Sequence, residues 1–172
     1  MSLLTYFTMP GVLVHQWSKI MCCKLTGAAV HEVCWFQLDS PAGYVVHDDP
    51  ESPWQQFVIG LAPIFLNTLV AMGVAALAVP FHRPEGQPSV PFLMLVWVAV
   101  AVGAGGFPSL SDAESMWELA WSPEASVLSR LVSVPVVGGV YLGAFLRYFW
   151  ADVAYGGAVV VLTFLLMGVP FK

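Results

Sequence analysis

His15-Gln16-Trp17-Ser18-Lys19 places a metal-binding imidazole and an ammonium four residues apart inside an otherwise apolar stretch. The pattern HExxH sets two histidines on one helical face to hold zinc, with the Glu as general base for the metal-bound water. Here His15 keeps the first position. Gln16 puts an amide that takes no proton where the base would be, and Lys19 puts an ammonium where the second ligand would be. The alternative for a lone membrane-helix histidine is a hydrogen-bonded packing role.

Other groups with chemistry are scattered. Cys22 and Cys23 follow His15 by two turns, about 11 Å along a helix, too far for one ion unless the helix bends. No CxxC spacing exists and the third cysteine, Cys34, makes the count odd, so the thiols read as buried small hydrophobes. His47 with Asp48 and Asp49 reads as a solvated turn, and His82 with Arg83 as an interfacial anchor in a Pro-rich loop; nothing decides which way His31 faces. Asp112 is either a ligand or an acidic cap for the helical run 113–120.

These groups sit in a chain of 172 residues that is 58% hydrophobic and 10% charged, with mean hydropathy +0.77. Soluble domains carry about 25% charge, so a water-soluble enzyme is excluded, and disorder is excluded by the same apolar content. Six Lys+Arg against eleven Asp+Glu, without a basic stripe, argue against nucleic acid as partner. The expectation is one integral membrane domain over 1–172, all-α and polytopic, with about five transmembrane helices and the lipid bilayer as its surroundings. Membrane helices are expected at 57–81, 90–106, 127–150 and 153–170, each near the roughly 20 residues a span needs. A fifth helix at 3–25 has a polar stripe that must face protein or a water-filled cavity. It lacks a basic leader and a cleavage site, so it is expected to be retained. Residues 30–47 alternate with period two around Asp39-Ser40-Pro41-Ala42-Gly43, which predicts a β-hairpin with its turn at 39–43. Its edges must lie at the interface or under helices.

Drawn with five spans, the hairpin side takes nine of the eleven acids and, counting Lys172, four of the six Lys+Arg residues. That weakly favours a cytoplasmic hairpin side, with the N-terminus and the Arg83 loop on the other. Trp54, Trp117, Trp121 and Trp150 fall near helix ends, where indoles settle at headgroup level. The runs 103–106, 138–139 and 156–157 let helices approach closely.

After the hairpin come Leu61-Ala62-Pro63-Ile64-Phe65-Leu66-Asn67, and after the third helix Phe107-Pro108-Ser109-Leu110-Ser111-Asp112-Ala113. This order over roughly 8–117 resembles the site-2 protease family of intramembrane zinc metalloproteases, particularly small prokaryotic and archaeal metalloprotease-like membrane proteins. The resemblance implies His15 and Asp112 as zinc ligands, Gln16 in the place of the catalytic Glu, Lys19 in the place of the second His, and Pro63 and Asn67 as structural residues, with Asn67 steadying backbone near the hairpin. It implies zinc as the family cofactor. Gln16 and Lys19 turn the expectation towards a chain without zinc, a pseudoenzyme in a prokaryotic cytoplasmic membrane that binds a transmembrane substrate or partner protein. Two alternatives stay open: an active intramembrane zinc metallopeptidase with non-standard ligands, and a structural or assembly protein. A buried ammonium needs a counter-charge, and Asp112 is the expected partner of Lys19.

Overall fold

The computed structural model describes residues 6–38, 41–83, 87–107, 110–121 and 127–169. Helices dominate, with one two-stranded antiparallel sheet. The elements are α1 (Met9–Thr26), β1 (Val30–Cys34), β2 (Tyr44–His47), α2 (Pro53–Ala78), α3 (Val90–Ala104), α4 (Leu110–Ala120), α5 (Val127–Leu146) and α6 (Ala151–Leu166).

Local sequence explains most boundaries. Gly27 adopts the left-handed conformation that ends α1, and the Ala28 amide donates back to the Cys23 carbonyl. Ser52 caps α2 by accepting from the Gln55 amide, and Ser89 caps α3 by accepting from Phe92. Pro follows each of these serines at the start of its helix, where no backbone donor is lost.

α2 is the spine. Its residues Asn67 and Thr68 bond to Val102 of α3 and Tyr155 of α6. α1 runs parallel to α3: Phe7 meets Trp97, and Gly11 packs on Ala101 and Gly105. α6 runs antiparallel to α3, because Tyr155 meets Phe107, Gly156 crosses Gly103, and Phe164 stacks on Phe92. Gly11 and Gly156 are required by these approaches. A Cβ on Gly11 would lie 1.9 Å from the Ala101 carbonyl oxygen, and one on Gly156 would lie 2.3 Å from that of Val100.

Among the described residues one helix, 54–81, is long and apolar enough to cross a membrane. The pair 133–149 and 151–166 passes the same test together but is bent by 93°, and α3 is a shorter apolar helix. Four features of the structure sharpen the sequence expectation. The first strand ends at Cys34, not Leu38, and the register shifts between Val30 and Glu32; Asp39 and Ser40 lie outside the described residues. The hairpin folds back along α1, so that Phe36 approaches Tyr6 at 6.4 Å between ring centroids. The polar stripe of α1 thereby gains protein on that flank. Asp112 lies in the first turn of a separate helix, α4, that includes the run 113–120, whereas α3 stops at Ala104. Finally, the helices expected at 127–150 and 153–170 appear as α5 and α6, joined at a 93° bend. Trp150 at φ 62° turns the chain sharply, and Val169, just past α6, packs with Ala75 and Ala78 near the far end of α2.

Candidate functional site

The polar residues of α1 fan out from one turn to three neighbours. Ser18 faces α2, where its hydroxyl donates to Asn67 Oδ1 at 3.0 Å, and Asn67 Nδ2 donates to the Val102 carbonyl at 3.2 Å. Three helices are thus tied by one buried amide. Asn67 was expected to steady backbone near the hairpin; it instead bonds to α1 and to the α3 backbone, about four turns along α2 from Pro53. Pro63, fully buried inside α2, offers no amide to the Ile59 carbonyl.

Lys19, one position on, turns to α4. Its Nζ donates to Asp112 Oδ1 at 2.6 Å, with side chains only 13% and 9% exposed. This is the pairing expected from the sequence. The Asp112 position is fixed by the α4 packing: Met116 lies against Gly60 of α2, where a Cβ would come within 2.2 Å of the Met116 methyl, and Ala113 and Met116 join Val137 and Val140 in a common core.

His15 lies one turn before Lys19. It is within electrostatic reach of Lys19, Asp112 and Arg147, and its ring meets the Gly105 backbone. Its Nδ1 is enclosed without a hydrogen-bond partner. Gln16 turns to the hairpin. Its Nε2 lies 2.9 Å from the place a Cβ would take on Gly43, and its Oε1 is buried without a partner. The amide that stands where the base is expected is thus held against the hairpin backbone.

The donor set at this place does not suit a zinc ion. Catalytic zinc takes three protein donors and keeps one open position. His15 and Asp112 supply two, but the third place holds an ammonium, which has no lone pair and repels a second cation. Among the described residues, no group of three or more His, Cys, Asp or Glu side chains is placed to hold a metal ion. Cys22 and Cys23 are free, buried thiols packed with Ala28 and Ile59.

A second polar cluster closes the hairpin base. His31 Nε2 and Asp48 Oδ1 are 2.6 Å apart, the Ala29 amide donates to Asp48 Oδ2, and the Asp48 amide donates to the Ala29 carbonyl. The His31 hydrogen bond holds the Asp48 carboxyl below its ordinary range. Asp48 clips the two strands together, a role that the solvated-turn expectation missed, and Asp49 makes no part of this clip. Tyr44 adds a cross-strand bond by donating to Glu32 at 2.8 Å. Gly43 was also missed; its signal was only a Gly after a Pro-Ala turn.

The chain matches no family model, no curated protein and no solved structure.

Proposed function

We propose that this chain is a multi-pass integral membrane protein on a site-2 protease-like scaffold that does not hydrolyse peptides and instead holds a membrane helix or partner protein. About five membrane-inserted helices form it in this reading, with α1 shielded by the hairpin. One observation carries the reading: the Lys19 ammonium sits 2.6 Å from the Asp112 carboxylate, where a metal ion would need that carboxylate. Loss of a positioned general base alone typically costs two to four orders of magnitude in rate, and Gln16 faces the hairpin. The pair keeps α1 and α4 together without metal, so the scaffold persists while the chemistry is lost.

Metal analysis tests this. Wild-type protein purified without chelator is expected to carry no stoichiometric zinc, whereas the Gln16→Glu, Lys19→His variant is expected to gain up to one zinc per chain. Stoichiometric zinc in the wild type, with hydrolysis of a membrane-helix peptide, would overturn the reading.

A further inference from the structure

We propose that the elbow between α5 and α6 is a self-association surface, on which a second copy of this chain packs about a two-fold axis inside the membrane. The proposal rests on the membrane-embedded reading above but not on the loss of proteolysis.

The depth of the elbow follows from its neighbours. Thr68 stands at the middle of the helix 54–81 and shares a 2.7 Å hydrogen bond with Tyr155, one turn past Asp152. On the other arm Gly143, one turn before Arg147, faces the Phe107 ring, and the adjoining Gly106 lies against Asn67. Both arms of the elbow are therefore level with the centre of α2, and in the embedded reading with the centre of the bilayer.

Two features of the elbow do not suit hydrocarbon at that depth. The first is backbone. Residues Arg147–Phe149 form a 3-10 turn, Trp150 is left-handed, and the helix axes bend by 93°. A broken helix at membrane depth is tolerated only under protein or beside water, yet Tyr148, Phe149 and Trp150 are 84%, 68% and 55% exposed. The second is charge. Arg147 Nε meets Asp152 Oδ2 at 3.4 Å, but the Arg147 side chain is 42% exposed. The N–H groups of its terminal nitrogens bond to nothing among the described residues. A cation at the bilayer centre is costly and faces protein or a water-filled cavity.

The charges select the occupant. The elbow carries one cation and one anion on a single patch. A two-fold axis sets Arg147 of one copy against Asp152 of the other, so the same patch supplies both halves of the contact, as an isologous interface requires. An apolar helix of another protein would leave Arg147 uncompensated. The surroundings match the core of an interface, where aromatic residues and Arg are enriched and Lys, Asp and Glu are depleted. From Phe145 to Trp150 the elbow is exposed and holds no charge besides Arg147.

The test uses the full chain. Native mass spectra in detergent report the wild-type dimer. Tyr148→Cys, in a background without Cys22, Cys23 and Cys34, reports a disulfide-linked dimer in membranes under a permeable oxidant. Both dimers are expected, with Leu25→Cys at the exposed end of α1 staying unlinked. Arg147→Asp and Asp152→Arg each set like charges across the axis and should weaken self-association at least about tenfold. Mixed, the two variants place opposite charges at both contacts and should form a heterodimer as tight as the wild-type dimer. A monomeric wild type, or a Tyr148→Cys link no stronger than that of Leu25→Cys, overturns the proposal. So does self-association of both charge variants at wild-type strength, and so does a mixture that stays monomeric while each variant is folded by circular dichroism. Wild type that washes out of membranes at high pH overturns the embedded reading and this proposal together, whereas an embedded monomer overturns this proposal alone.

Discussion

At Gly43 the hairpin backbone touches the Gln16 amide, and there is no room for a methyl group: a Cβ would lie 2.9 Å from the Cys34 carbonyl oxygen and 3.0 Å from that of Trp35. Gly43→Ala is therefore expected to cost about 1–3 kcal/mol through overpacking, measured as a lower melting temperature in detergent. Asp48 sets a pH limit on the same element. Its carboxyl is lowered from the ordinary 3.8, chiefly by the His31 hydrogen bond. A lowered carboxyl contributes stability that is present above its unfolded value and lost as pH falls through its folded one. The protection of the Ala29 and Asp48 amides, taken relative to intrinsic exchange at each pH, should accordingly fall below about pH 4, and Asp48→Asn should remove that acid step. At this scale the sequence was legible where a charge demanded a counter-charge, as for Lys19 and Asp112. It was not legible where a role depended on which neighbour the backbone brings, as for Gly43, Ser18 and the bonds of Asn67.

Helix capping and apolar length made the elements readable, so α2 and α3 lie close to where the pattern puts them. The strand β1 ends at Cys34, although the Gln37 amide still donates to the Ala42 carbonyl across the hairpin. Nothing in the apolar run 127–170 fixes the direction of α6; a tryptophan in the left-handed region does, and that conformation is not one its side chain favours. Arg147 and Asp152 flank the hinge, but their residue types do not give its angle. Glycine context separates packing from spare room on α6. Gly156→Ala should destabilise by about 1–3 kcal/mol, because a Cβ there meets the Val100 carbonyl. Gly157→Ala, where a Cβ meets nothing within 4 Å, should be neutral or stabilising by up to about 1 kcal/mol. Equal effects in chemical unfolding would contradict the α3–α6 crossing.

For the whole molecule, the packing of α6 predicts a topology different from five alternating passes. Single cysteines introduced at Arg83 and Met167 in a background without Cys22, Cys23 and Cys34 should label from one side of the membrane, and one at Glu51 from the other; Met167 labelling with Glu51 would restore the two-pass alternative. The central claim is that an ammonium–carboxylate pair, not a metal, joins α1 to α4. A double-mutant cycle on global unfolding tests it most directly. Removing one partner of a buried pair leaves the other charge uncompensated and costs about 3–5 kcal/mol, whereas removing both is often nearly neutral. Lys19→Met and Asp112→Asn should each destabilise strongly, and the combined variant should be more stable than either. Additive losses in the combined variant would show that the two side chains act independently and would contradict the account.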